Sequence, residues 1–261
     1  MSRVALITGA GRGIGRSIAL RLAAAGYAVA LTARSKDQLE ETAALVAADG
    51  GRALAVPGDV TDPRDVAHVC DTVDSALGPV DVLVNNAGVT GPMRPFLETD
   101  PDQWWAVVET NVRGPALLSR RVLPSMVRRG TGHVVNINSL QGSDGSGSPP
   151  AYGVSKAALM RFTDSLAAEL RGTGVMVVDL SPGLVRTSMT ADRADLARVP
   201  AEVWQPPEKA AGLVLALVSG GYEELHGRFV HVTDDLDQLV ARVREDRDAG
   251  PGDLRVLRLR R

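Results

Sequence analysis

One cysteine, Cys70, stands in 261 residues, so the chain can build no internal disulfide framework, and a buried small side chain is the expected reading. No sign of charge dominates. The 29 basic and 31 acidic residues leave a formal charge of −2, without the strong field that would favour nucleic acid or an anionic membrane over a small molecule. No apolar stretch approaches the roughly 18 residues of a membrane span, and the run before Thr8 and Gly9 is too brief for a signal-peptide core. A soluble protein of the reducing cytoplasm is therefore expected, with neither nucleic-acid nor membrane partners. There is no internal repeat, and the 44% apolar content suffices for one large α/β domain.

Tyrosine and lysine are each present only three times, which makes Tyr152-x-x-x-Lys156 informative. Chance would supply such a pair about 0.03 times in a chain of this composition. If Pro149 or Pro150 opens a helix, the two side chains point along one face of its first turns. A phenol ionises near pH ~10 and becomes a usable base only where a cation favours its phenolate, a part Lys156 can supply. Ser139, at the end of the apolar strand His133 to Asn138, reaches the pair from the side.

Strands and helices alternate along the chain. Val4 to Ile7 leads into Gly9-Ala10-Gly11-Arg12-Gly13-Ile14-Gly15 and a helix ending at Gly26, the strand, glycine turn and helix that can cradle a pyrophosphate on free N–H groups. Tyr27 to Thr32 is a second strand. Its loop carries Arg34 and no acid, which suits a 2′-phosphate, with Arg12 able to approach from the glycine turn; a solvated loop arginine is the alternative. Ser35-x-x-Gln38 reads as a capping box for the next helix. Ala53 to Val56 leads to Gly58-Asp59-Val60, where Asp59 can hydrogen-bond an adenine amine or merely hold a turn. Asp62-Pro63 starts a helix, and Asp81 to Val84 ends in Asn85-Asn86-Ala87-Gly88, which can line a cofactor crevice. Asp100-Pro101 begins a long helix toward Arg128; within it Pro115 has no N–H for the Asn111 carbonyl, which leaves that oxygen free to hold a water or marks a kink of purely packing origin. Gln141 to Ser148 reads as a flexible loop, Val175 to Leu180 as a strand meeting Pro182-Gly183, and Leu184 to Pro207 as either a lid or a packed surface loop. A helix from Pro207 to Ser219 and a strand from Arg228 to Val232 complete about seven parallel strands with helices on both faces.

As an ordered set, Gly9-x-x-x-Gly13-x-Gly15, Asp59, Asn85-Asn86-Ala87-Gly88, Asn111, Ser139, Tyr152-x-x-x-Lys156 and Pro182-Gly183 resemble the short-chain dehydrogenase/reductase family over residues 3 to about 232. The resemblance implies a single Rossmann-type domain, homodimeric or homotetrameric, that moves hydride between a nicotinamide cofactor and a carbonyl or secondary alcohol, with no metal. Arg34 and Arg12, with no acid after the second strand, make NADP(H) the expected cofactor. The resemblance makes Tyr152 the acid/base, Lys156 the residue that lowers the Tyr152 pKa and holds the nicotinamide ribose, Ser139 the support of the substrate oxygen, and Asn111 the holder of a relay water. It places Gly9, Gly11, Arg12, Gly13, Ile14, Gly15, Arg34, Asp59, Val60, Asn86, Ala87, Gly88, Pro182 and Gly183, with Tyr152 and Lys156, around the cofactor. A non-catalytic nucleotide sensor or scaffold on the same fold is the alternative. Residues 1–233 are expected to form the catalytic domain. After them Leu236, Leu239, Val240 and Val243 mark an amphipathic helix, and a tail from Leu254 to Arg261 is expected to pack on this domain or on a neighbouring subunit.

Overall fold

In the computed structural model, which describes residues 2–143, 149–191, 193 and 196–249, Val4–Thr8 (β1) and Ala28–Thr32 (β2) are buried at every position. Continuous apolar runs of this kind, rather than alternating ones, belong to strands covered on both faces. Arg52–Ala55 (β3), Val82–Asn85 (β4), Gly132–Ile137 (β5), Val175–Ser181 (β6) and Phe229–His231 (β9) join them in a seven-stranded sheet of order β3-β2-β1-β4-β5-β6-β9. Every pairing is parallel. Two short strands, Leu184–Val185 (β7) and Trp204–Gln205 (β8), pair separately within the irregular segment.

Helices Gly13–Ala24 (α1), Lys36–Ala48 (α2) and Pro207–Ser219 (α7) share one core with the sheet, and Leu236–Ala249 (α8) adds Leu236, Leu239, Val240 and Val243 to it. Pro63–Leu77 (α3), Gly114–Arg129 (α5) and the end of Pro150–Glu169 (α6) contribute to the opposite core, where Cys70 is buried and its thiol is pushed up to about 11 by desolvation. Helix starts follow the sequence: Asp62 accepts from the Arg64 N–H beside Pro63, and the Ser35 hydroxyl from the Gln38 N–H.

The chain departs from expectation between residues 100 and 129. In place of one long helix there is Pro101–Val108 (α4), a π turn at Glu109–Arg113, and then α5. Pro115 cannot donate to the fourth residue before it, and the neighbouring Gly114 N–H reaches Glu109, five residues back. Asn111 lies in this turn, fully buried. The tail from Leu254 to Arg261 and residues 144–148 of the Gly/Ser loop lie outside the described residues.

His133, at the start of β5, accepts from Arg3 Nη2 through Nδ1 at 3.4 Å. Burial first, and the Arg3 charge second, push its imidazole from 6.5 down to about 4. The unfolded chain therefore takes up this proton before the folded one, so stability is full above pH 6.5 and declines as pH falls toward 4. His133→Gln keeps an acceptor for Arg3 without a proton to gain. It should flatten the fall in melting temperature across that range, and an unchanged pH profile would count against the assignment.

Candidate active site

The strand order reverses between β1 and β4, and in an open α/β sheet this is where a crevice opens beyond the strand ends. Thr8 and Asn86 bind the two ends together: Thr8 Oγ1 accepts from the N–H groups of Asn86 and Ala87 at 2.9 and 2.8 Å, while Asn86 Nδ2 donates to the Thr8 carbonyl at 2.8 Å. The glycine turn fits against this knot. Gly9 has φ +63°, and a β-carbon on Gly15 would stand 2.3 Å from the Gly9 carbonyl oxygen. A turn so free of side chains, leading into the N-terminus of α1, fits the pyrophosphate of a dinucleotide. Gly11 belongs to the same turn, Ile14 lies in the first turn of α1 that follows, and Gly88 follows Ala87 with Asn111 Oδ1 close behind it.

Two exposed arginines flank this cradle. The side chain of neither Arg12 nor Arg34 makes a hydrogen bond or ion pair with another described residue, whereas that of nearby Arg16 is held by Glu41, Thr42 and the Gly11 carbonyl. Asp59 is partly committed to a turn, since its Oδ1 accepts from both the N–H and the hydroxyl of Thr61 at 2.9 and 2.8 Å. Val60 packs against Gly114, where the start of α5 comes close.

Ser139, Tyr152 and Lys156 come together just past the end of β5 and at the start of α6. Lys156 is buried, its Nζ donates to the Ile137 carbonyl at 2.8 Å, and it lies 5.6 Å from the centroid of the Tyr152 ring. Desolvation raises the Tyr152 phenol above its ordinary value, while the Ser139 hydroxyl and then the Arg193 charge pull it down. The expected lowering of Tyr152 by Lys156 does not enter this balance. The ammonium is turned to a backbone carbonyl, and burial pushes Lys156 itself down to about 8.

Asn111 meets this group through its neighbours. Its Oδ1 accepts from the Val89 N–H, its Nδ2 donates to the Val89 carbonyl and to Ser155 Oγ, each at 2.9 Å, and Ser155 in turn donates to the Tyr152 carbonyl at 2.8 Å. One amide thus joins the loop after β4 to the helix bearing Tyr152. Asn111→Ala strips a partner from the part-buried N–H and carbonyl of Val89 and from the buried Ser155 hydroxyl, and a loss of about 1 to 3 kcal/mol is expected. Denaturant unfolding measures it; a loss near zero would remove Asn111 from this part.

Beyond β6, Pro182 is buried and Gly183 turns the chain at φ +70°. The segment then crosses the glycine turn, with Thr187 Cγ2 3.3 Å from where a β-carbon on Gly13 would be. Arg186, Thr187, Arg193, Leu196 and Trp204 are among the walls of a cavity of about 410 Å³, in which Arg186 stacks on the Trp204 ring. Sequence reading missed Thr8, Ser155 and Thr187. It also took Gln141 and Gly142 for flexible loop; Leu140–Gly142 instead forms a 3-10 turn packed on α6, where a β-carbon on Gly142 would stand 2.7 Å from the Lys156 carbonyl carbon. Thr8, next to the first glycine of the turn, was the one with a signal in the sequence.

Residues 3–197 match the family model described as short chain dehydrogenase. A short chain dehydrogenase of Pseudocercospora fijiensis is 36% identical, over 91% of this chain and 82% of its own. The 3-oxoacyl-acyl-carrier-protein reductase of Escherichia coli is 34% identical over 90% and 97%. Among solved structures, a short-chain type dehydrogenase/reductase from Mycobacterium marinum superposes with a TM-score of 0.82 at 32% identity, covering 88% of this chain and 93% of that one. A candidate NAD(P)-dependent gluconate 5-dehydrogenase from Beutenbergia cavernae, with NADP bound at low occupancy, gives 0.81 at 38% identity over 91% and 96%.

Proposed function

The chain belongs to the short-chain dehydrogenase family of oxidoreductases, and from that membership we propose that it interconverts a carbonyl and a secondary alcohol on a small, partly apolar substrate with NADP(H). The observation that carries the reading is Tyr152 set between Ser139 and Lys156 beside the crevice of the glycine turn. A module that only binds nucleotide has no need of a proton donor there. The E. coli relative's name describes a reductase of a 3-oxoacyl group, and the Beutenbergia neighbour holds NADP; both support the reading.

When bound, the nicotinamide cofactor supplies the hydride in reduction and accepts it in oxidation. Tyr152 Oη gives its proton to the substrate oxygen in reduction and takes it back in oxidation. Ser139 donates a hydrogen bond to the same oxygen, and Lys156 holds the nicotinamide ribose. Asn111 carries the carbonyl that Pro115 leaves without an N–H, and a water there feeds the proton path. The Gly9 to Gly15 turn holds the pyrophosphate, with Asp59, Val60, Asn86, Ala87, Gly88, Pro182 and Gly183 along the rest of the cofactor. Arg12 and Arg34 take the 2′-phosphate, and the loop around Arg193 and Leu196 borders the substrate. The working form is a homodimer or homotetramer, which sedimentation measures. The function itself is tested by NADPH consumption against a panel of ketones and diketones; binding of NADPH with no consumption on any member would leave a nucleotide-binding protein only.

A further inference from the structure

A row of buried polar side chains crosses the sheet behind the site. Ser119 on α5, Asn85 on β4, Asn136 on β5, Thr163 on α6 and Asp179 on β6 are each no more than 2% exposed. Asn85 Nδ2 donates to Asn136 Oδ1 at 2.8 Å and to Ser119 Oγ at 3.5 Å; Asn136 Nδ2 donates to Thr163 Oγ1 at 2.8 Å; Thr163 Oγ1 donates to Asp179 Oδ1 at 2.8 Å. The parallel register pairs Asn136 with Asp179, which turns both side chains to one face of the sheet. From Asn85 the bonds through Asn136 and Thr163 all run toward Asp179, and that end of the row closes on the carboxyl, which accepts.

A carboxylate so far from water needs a compensating charge. Lys156 lies on the same face of α6 two turns before Thr163, 5% exposed, with its own bond made to Ile137. No hydrogen bond or ion pair joins the two groups, so each acts on the other as a charge through the buried interior, where screening is weaker than in water. The other surroundings of Asp179 leave Lys156 as the charge that acts on it. Asn136 and Thr163 are neutral, and Arg228, just ahead of β9, offers its carbonyl to the Asp179 N–H at 3.0 Å. Asn138 Nδ2 finds no partner within bonding distance, yet lies close enough to favour the carboxylate.

We propose that Asp179 is a positioning residue for Lys156: its buried carboxylate is the counter-charge that holds the lysine as an ammonium beside Tyr152. Burial pushes Asp179 up to about 7, against the pull of Asn138, Thr163 and Lys156, and pushes Lys156 down to about 8, against the pull of Asp179. Without the carboxylate, the lysine loses its proton at lower pH, and with it the ammonium that holds the nicotinamide ribose in the proposed function, on which this inference rests.

The chain has only three lysines, and Lys36 and Lys209 are exposed. Lys36→Arg with Lys209→Arg therefore leaves a single carbon-13 signal at Lys156 Cε, which can be titrated without cofactor or substrate. In that background the signal should move in two steps, one for its own proton and one for the neighbouring carboxyl; a single step would overturn the proposal. Asp179→Asn keeps an oxygen to accept from Thr163, and should lower the Lys156 midpoint by about one pH unit or more. An unmoved midpoint would also overturn it, and should that variant not fold, the two-step titration alone decides. Coupled titration in a protein inactive on every carbonyl would reject the enzyme reading and keep the pairing. Activity with uncoupled titration would reject the pairing alone.

Discussion

Tyr152→Phe should lower turnover by about 10²-fold or more while leaving the fold and cofactor affinity close to those of the native protein. The change deletes one hydroxyl from a ring that stays where it was. That hydroxyl is the group set beside Ser139 and the Arg193 charge, on the helix that also carries Lys156. Because desolvation raises the phenol, the tyrosine holds its proton across the neutral range and is ready to donate in reduction. Oxidation of an alcohol needs the opposite form, so its rate should climb with pH where reduction does not. Steady-state rates in both directions, with melting temperature and NADPH affinity as controls, separate loss of the acid from loss of structure. A Phe variant that reduced ketones at the native rate would mean that the proton comes from elsewhere.

The second large effect concerns the cofactor. NADP(H) differs from NAD(H) by a 2′-phosphate, and a site that prefers it must supply positive charge after the second strand and withhold a carboxylate. Arg34 stands two residues after the end of β2, Arg12 stands at the start of α1, and both side chains are exposed without a protein partner among the described residues. Each charge-assisted contact contributes roughly 1.5 to 3 kcal/mol, so two give a preference on the order of 10²-fold or more. Arg34→Asp removes one contact and sets a carboxylate against the phosphate. The ratio of kcat/KM for NADPH over NADH should fall by about 10²-fold or more. A native protein favouring NADH, or a variant whose ratio does not move, would contradict the assignment.

The parts of this architecture legible in the sequence are those fixed by local chemistry. Seven largely apolar runs marked the seven strands of the main sheet because burial on both faces favours apolar side chains, and the Gly9 to Gly15 turn could be read because only glycine tolerates its crowding. Tyr152 and Lys156 stood out by rarity and spacing. What escaped depends on register between distant segments. Asp179 interrupts an apolar strand in the sequence, and nothing local shows that Thr163 and Lys156 will face it across the sheet. The proline at 115 pointed to an irregularity, but a π turn requires Gly114 to reach one residue further back, which spacing alone does not specify. The committed oxygen of Asp59 likewise follows from the conformation of its turn.

The central claim is that this chain moves hydride from NADPH to a carbonyl carbon while Tyr152 delivers the proton to its oxygen. It is met most directly by giving the protein NADPH deuterated at the transferable position of nicotinamide C4, with a reactive ketone, and examining the alcohol by mass spectrometry. One deuterium on the carbinol carbon is expected with native protein, and that product should be reduced by about 10²-fold or more with Tyr152→Phe. Alcohol without deuterium at that carbon, or equal deuteration rates by the two proteins, would contradict it.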